Sequence, residues 1–120
     1  MEIKFHSQNN KQIAEIIANG IVINETQDAL DIMADASYNG ASGVVIHEHQ
    51  LTPEFFDLKT RLAGEILQKF SNYRMQLAIV GDFTKYKSKS LNDFIFESNK
   101  TGHILFVDSL EKALELMKKS

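Results

Sequence analysis

The sequence predicts a single α/β domain over residues 1–120, in which a mixed sheet packs against about four helices. Near its start, two stretches with strand periodicity flank an Asn-Asn pair, which is typical of an antiparallel hairpin. Short apolar runs then alternate with helical segments, which indicates parallel strands joined by right-handed crossovers. With 43% hydrophobic and 24% charged residues, a chain of 120 residues can bury one core.

The predicted hairpin comes first. Apolar and polar residues alternate over residues 3–7, as in a half-buried strand. Asn9-Asn10 suits the turn, because asparagine tolerates the left-handed backbone that tight hairpins need. Residues 13–18 predict a second strand with apolar side chains on both faces. Asn19-Gly20 indicates another turn, and residues 21–23 a short third strand or an extension of the second.

The first helix and the first parallel strand follow. Asn24 can cap the helix with Gln27 as its reciprocal partner, and Gly40 is placed to end it. Residues 43–46 are mainly apolar, as expected of a strand buried on both faces. The predicted buried stripe of the helix is Ala29, Leu30, Ile32, Met33 and Ala36.

Thr52-Pro53 predicts the start of the longest helix, with threonine as N-cap and proline at the first helical position. Gly64 inside this helix predicts close packing against a neighbouring element, rather than the approach of a partner. The predicted inner face is Phe55, Leu58, Leu62, Ala63, Ile66, Leu67 and Phe70. The predicted outer face is a solvated ladder of alternating charge: Asp57, Arg61, Glu65 and Lys69.

The last third of the chain predicts two more strands and two more helices. Residues 77–80 form a buried strand closed by Gly81-Asp82. Ser90, with Asp93 three residues later, caps the next helix. Residues 103–107 form the last strand, and Asp108-Ser109 starts the last helix. The predicted inner side chains of the two helices are Leu91, Phe94, Ile95 and Ser98, then Leu110, Ala113, Leu114 and Met117.

Composition argues against several functional classes. The chain has no cysteine, which removes disulfides, thiolate metal sites and cysteine nucleophiles and favours a cytoplasmic location. No apolar stretch approaches the length of a membrane span, so no membrane partner is expected. The net charge of −3 gives no reason to expect a nucleic acid as partner.

Three predicted parallel strands end in residues that suit a small-ligand site. In an open α/β sheet, ligands bind beyond the carboxyl ends of the strands. The candidate ligand-binding residues are His47, Glu48, His49, Asp82 and Asp108. General acid-base catalysis would use Glu48 or a histidine in a pocket. No recognised catalytic motif accompanies them, so we expect a binding protein rather than an enzyme, and no cofactor is predicted.

A metal site at the same edge is not predicted. His47 and His49 would lie on one side of an extended chain, so the pair can contact one ion. His103 begins its strand and would lie on the order of 15 Å away, so it cannot be the third ligand. Asp82 suits a turn and Asp108 suits a helix cap without any metal.

Three aromatic residues predict a surface for protein interaction. Phe96 falls opposite the buried stripe of its helix and is expected to be exposed. Phe83 and Tyr86 lie in the preceding loop, and aromatic anchors with a basic rim suit interfaces. The same loop carries Lys85, Lys87 and Lys89.

The stretch "LTPEFFDLKTRLAGEILQKFSNYRMQLAIVGDF", followed by "SKSLNDFIFESN", closely resembles a bacterial domain-of-unknown-function family, number 4180, from about residue 29 to residue 116. The resemblance implies a small cytoplasmic bacterial protein and no established activity. More distantly, the element order and the tail, "LAIVGDF" through "FVDSLEKALELM", resemble the STAS domains of anti-sigma-factor antagonists and sulfate transporters. In the antagonists a serine is phosphorylated at the start of the helix after the central strand, within an Asp-x-Ser-Gly type motif. Residues 47–53 here contain neither that motif nor a serine, and Thr52 is the nearest hydroxyl.

These observations together predict a non-enzymatic regulatory or protein-interaction domain of STAS-like fold. The contact surface would be the loop with Phe83 and Tyr86 together with Phe96, or the rim at residues 47–52. Two alternatives stay open. One is a small-ligand or enzymatic site at the strand ends, and the other is self-association into a homodimer.

Overall fold

The protein folds around one mixed five-stranded sheet whose strands lie in the order of the sequence. The computed structural model describes residues 1–102 and 104–117. The strands are β1 (Glu2–Gln8), β2 (Lys11–Ile17), β3 (Gly43–His47), β4 (Gln76–Val80) and β5 (Ile104–Val107). The helices are α1 (Thr26–Tyr38), α2 (Leu62–Asn72), α3 (Lys89–Thr101) and α4 (Leu110–Met117).

The first two strands form the predicted antiparallel hairpin, and all later neighbours pair in parallel. Asn9 and Asn10 form the two-residue turn with φ angles of 53° and 69°, the left-handed conformations that asparagine tolerates. The predicted α/β class with a mixed sheet is therefore confirmed.

The two faces of the sheet are covered unequally. Because each parallel strand lies on the same side of the previous one, right-handed crossovers place α1, α2 and α3 on one face. Val44 and Ile46 of β3 point into the core under these helices, and Val45 points to the opposite face, where α4 packs. No helix within the described ranges has both the length and the apolar character needed to cross a bilayer.

The prediction of one long helix from Thr52 is wrong for its first ten residues, 52–61. Residues 53–56 and 58–60 form separate 3-10 turns, and α2 begins only at Leu62. Thr52 makes no side-chain cap, and Arg61 has a left-handed backbone (φ 66°) that interrupts any continuous helix. Since Asp57 and Arg61 precede α2, the predicted four-residue ladder of charges does not form on one helix. Local hydrogen bonds cause the break, because the Thr60 hydroxyl donates to the C=O groups of Glu54 and Asp57.

The N-caps of two helices lie one or two residues from their predicted positions. Glu25, not Asn24, caps α1, and its reciprocal partner is Asp28, whose carboxylate accepts from the Asn24 and Glu25 N–H groups. Ser88, not Ser90, caps α3 by accepting from the Leu91 N–H.

Two further predictions are corrected, and one lies outside the described residues. Residues 21–23 form no strand, because the Val22 and Ile23 N–H groups donate to the Gln50 C=O and Ile23 makes one bridge with Leu51. Gly64 is not closely packed, since an added Cβ would meet nothing within 4 Å. His103, the predicted start of the last strand, is not among the described residues.

Candidate functional site

The His47-Glu48-His49 segment does not form a paired histidine site. β3 ends at His47 and a 3-10 turn begins at Glu48, and the two rings, whose centroids are 6.0 Å apart, contact different partners. His47 Nε2 lies 2.8 Å from Glu15 Oε2, whereas His49 Nε2 lies 3.0 Å from the Ala18 carbonyl oxygen. In the part of the chain that the structure describes, no three His, Asp or Glu residues are placed to hold a metal ion.

His47 instead belongs to a cluster on the sheet. Glu15 of β2 lies between β1 and β3, and only 6% of it is exposed. His6 Nε2 is 2.8 Å from one oxygen of its carboxylate, and His47 Nε2 is 2.8 Å from the other. Desolvation alone would raise the pKa of Glu15, but the hydrogen bonds and charges of His47 and His6 outweigh it and hold the pKa below its usual value. The cluster thus keeps a buried carboxylate ionised and its two oxygens paired.

The Glu15 carboxylate makes stability depend on pH. Its pKa in the folded chain is below the ordinary value of 4.5, so its ionisation stabilises the fold above that pH and the contribution is lost as the pH falls through the folded pKa. In Glu15→Gln, the free energy of unfolding should therefore rise less steeply between about pH 3 and pH 5 than in the wild type. Urea denaturation at several pH values measures this, with the exposed Glu65→Gln as control. Parallel curves for wild type and Glu15→Gln would refute the assignment.

Glu48 joins two segments that are distant in sequence. Its carboxylate accepts from the Tyr86 hydroxyl at 2.5 Å, from Lys85 Nζ at 2.7 Å and from the Asp82 N–H at 3.3 Å. Burial of the Tyr86 hydroxyl, and then its hydrogen bond to and charge repulsion from Glu48, raise the pKa of Tyr86 well above its usual range. Tyr86 is therefore a neutral donor to Glu48. Gly81 permits this approach, since an added Cβ there would lie 2.6 Å from Glu48 Cβ.

A small pocket of about 270 Å³ lies beside Glu48. It brings a carboxylate, an imidazole, an ammonium and a phenol together above apolar side chains. Its lining residues are Ile21, Glu48, His49, Leu51, Pro53, Phe56, Lys85 and Tyr86.

Phe83 and Tyr86 are half-buried members of an aromatic cluster. Phe56 contacts both rings, with centroid separations of 6.1 Å to Phe83 and 5.0 Å to Tyr86. Phe83 also meets Phe106 edge-on at 5.3 Å. Phe96 is 63% exposed, as its position on the helix predicts. The structure thus assigns Phe83 and Tyr86 to the core margin and leaves Phe96 as the exposed ring of the three.

Asp82 and Asp108 line a groove of about 920 Å³ that we call the β5 groove. α3 and α4 form the walls of this groove, and residues 105–108 lie between the two helices. Residues 81–84 also line it. The helix side chains that line it are Asn92, Ile95, Asn99, Lys112 and Leu116. Most of the exposed surface in this groove is apolar.

The two carboxylates of the β5 groove differ in their hydrogen bonding. Asp82 accepts from the Thr84 hydroxyl at 2.6 Å and from the Thr84 N–H at 3.1 Å, and these bonds lower the pKa of Asp82. Within the described residues, the Asp108 carboxylate has no hydrogen-bond or ion-pair partner. Among the described residues that line the groove, Asp82 and Asp108 carry carboxylates and Lys112 carries an ammonium.

The profile of a known family, described as a domain of unknown function (DUF4180), matches residues 8–117 of this chain. The chain belongs to the DUF4180 family. No curated protein and no solved structure matches the chain.

The five candidate ligand residues of this DUF4180 chain line different surfaces, although the Asp82 N–H donates to Glu48 and the His47 and His49 rings lie 6.0 Å apart. Asp82 and Asp108 share the β5 groove, Glu48 and His49 share the small pocket, and His47 belongs to the cluster with Glu15. The strand ends thus contribute to two neighbouring cavities, which Glu48 and Asp82 connect.

Three features of the DUF4180 domain were not predicted from the sequence. Glu15 is the one charged residue in the apolar run of residues 13–18, and this signal could have revealed its cluster with His6 and His47. Tyr38 and Tyr73 are 90% and 67% exposed and flank a separate groove of about 640 Å³ beside α1. The hydrogen bonds between the Asn99 side chain and the backbone of Phe106 in β5 have no sequence signal, because they depend on how α3 packs.

Proposed function

We propose that this DUF4180 domain is a non-catalytic protein-interaction domain, and that a segment of a partner protein binds in the β5 groove. The observation that carries the proposal is an apolar groove with the carboxylate of Asp108 at its edge, for which the described part of the chain provides no partner. Interfaces are apolar at their centre and polar at their rim, and opposite charges guide the approach of the partner. The expected partner segment is therefore apolar with at least one Lys or Arg.

The location and wider fold group are part of this proposal. The absence of cysteine supports a cytoplasmic location. A hairpin followed by three strand–helix units supports a STAS-like fold, and the resemblance to the family supports a bacterial origin. Thr52 is buried, with 8% exposed, which argues against kinase control at the nearest hydroxyl to the STAS switch position.

The charge of the groove is expected to control partner binding. Peptides selected from a displayed random heptapeptide library on the wild-type protein should be apolar and carry Lys or Arg. Asp108→Lys should weaken the binding of the selected peptides about fivefold or more, because it replaces an attractive charge by a repulsive one. Fluorescence anisotropy with labelled peptides measures the change.

A matched control and a second variant sharpen this test. Asp31→Lys makes the same charge change on the exposed face of α1 and should leave binding within about twofold. Lys112→Glu removes the positive charge from the groove and should strengthen binding. Peptides that bind wild type and Asp108→Lys equally, with NMR shift changes at Tyr38 and Tyr73, would overturn the proposal.

A small ligand at the strand ends is the second candidate function. The observation that favours it is the 270 Å³ pocket in which Glu48, His49, Lys85 and Tyr86 meet. A thermal-shift screen of small metabolites distinguishes the two. A compound whose stabilising effect is lost in Tyr86→Phe would favour this candidate over peptide binding.

A further inference from the structure

One edge of the sheet, with which no other strand of the described residues pairs, lies inside the β5 groove. β5 is the last strand in the sheet order, and its residue Val107 faces β4, since the Val107 C=O accepts from the Gly81 N–H. Backbone groups alternate in direction along a strand, so the N–H and C=O of Phe106 point away from the sheet. An edge of this kind is a template for another strand.

The side chain of Asn99 occupies that template. The Phe106 N–H donates to Asn99 Oδ1 at 2.7 Å, and Asn99 Nδ2 donates to the Phe106 C=O at 3.1 Å. A carboxamide has the same donor and acceptor as a peptide group, so Asn99 makes the pair of hydrogen bonds that a neighbouring strand would make. The residue is exposed on α3, so its side chain can rotate into water, and the Phe106 N–H and C=O that it leaves are the groups that an added strand would pair.

We propose that the partner binds as an extended strand that adds to β5 and displaces the Asn99 side chain. This inference rests on the proposed function and specifies its geometry. A helix already uses its own N–H and C=O groups and is about 10 Å across, whereas an added strand requires about 4.8 Å. With backbone groups, only an extended segment can replace both hydrogen bonds of Asn99.

The walls of the groove define the side chains of this strand. Alternate side chains of an added strand point to opposite faces of the sheet. One set would meet Ile95 of α3 and the other Leu116 of α4, so both sets should be apolar. A basic residue should lie at the end near Asp108.

A second copy of this chain fits the edge less well. Pairing of two β5 strands would require both copies to displace Asn99. The segment Ile104–Val107 also carries no basic residue to meet Asp108. The occupant is therefore a segment of a different protein.

The experiment compares Asn99→Ala with wild type, using the heptapeptides selected above as probes. Removal of the competing carboxamide should tighten peptide binding about three- to tenfold, since two hydrogen bonds no longer need to be broken. Each peptide is also made with proline at its central position, which removes the N–H that a strand requires, and binding should then be lost. Lys100→Ala, an exposed change next to Asn99, should have no effect.

Each remaining outcome has a defined meaning. If Asn99→Ala is poorly folded by circular dichroism, Asn99→Asp replaces it, because the carboxylate accepts from Phe106 but cannot donate to its C=O. Unchanged or weaker binding by these variants, or tolerance of proline, would overturn strand addition while leaving the proposed function standing. Failure to select any peptide on wild type or Asn99→Ala would contradict the proposed function itself. A peptide-free dimer of Asn99→Ala in light scattering would identify a second copy as the occupant and overturn the choice of a different protein.

Discussion

Phe56→Ala is expected to lower the free energy of unfolding by about 3 to 5 kcal/mol, which is typical of a buried phenylalanine removed from a core. Phe56 is 8% exposed and contacts the rings of Phe55, Phe83 and Tyr86. Its removal opens a cavity beneath the loop that follows β4. Urea denaturation followed by circular dichroism measures the loss.

The matched control is Phe96→Ala. The ring of Phe96 is 63% exposed, so its removal should change stability by less than about 0.5 kcal/mol. If Phe56→Ala lost no more than Phe96→Ala, the aromatic cluster of Phe56, Phe83 and Tyr86 would not be part of the core.

Gly81→Ala is the second change with a large expected effect, a loss of about 1 to 3 kcal/mol from overpacking. The new Cβ would lie 2.6 Å from both Cβ and Oε1 of Glu48. Because Cβ is fixed to the backbone of the 3-10 turn, the conflict cannot be relieved by side-chain rotation alone. The turn must move, and the contacts of Glu48 with Tyr86 and Lys85 are then weakened.

Gly64→Ala tests the same substitution where space is open. No atom lies within 4 Å of the added Cβ, so alanine should stabilise α2 by about 0.5 to 1 kcal/mol through its higher helix propensity. Thermal or urea unfolding of the two variants should show changes of opposite sign. Equal changes would mean that the approach of Glu48 to Gly81 does not constrain residue 81.

The elements that were predicted correctly are those determined by local periodicity. Asn9-Asn10 identified the hairpin because two adjacent left-handed residues leave few other choices. The buried positions of α1 follow helical spacing, and the apolar runs of β3 and β4 are strands buried on both faces. Such patterns need only neighbouring residues to be interpreted.

Residues 53–61 could not be predicted in the same way. Phe55 and Leu58 continue the apolar spacing of α2, so periodicity favours one helix. Hydrogen bonds from the Thr60 hydroxyl and the left-handed backbone of Arg61 decide otherwise. These local interactions compete with helix propensity and contribute about the same free energy. The sequence therefore does not show which of the two prevails.

The candidate site depended on contacts between distant parts of the chain. Glu15 and His47 are 32 residues apart, and Glu48 and Tyr86 are 38 residues apart. The sequence predicted that Glu48 and Asp82 follow the ends of strands, and in the structure they follow β3 and β4. It could not indicate which strand-end side chains share a groove, because that depends on how turns and helices pack over the sheet.

The sequential order of the strands has a consequence for synthesis of the chain. Each strand pairs with the one before it, so the sheet can grow as the polypeptide leaves the ribosome, and each new strand is a bare edge until the next arrives. β5 has no successor among the described residues. Asn99 is translated seven residues before Phe106 and is therefore already present when the last edge forms. The nascent chain is thus expected to shield its final strand from aggregation at the moment that strand is made.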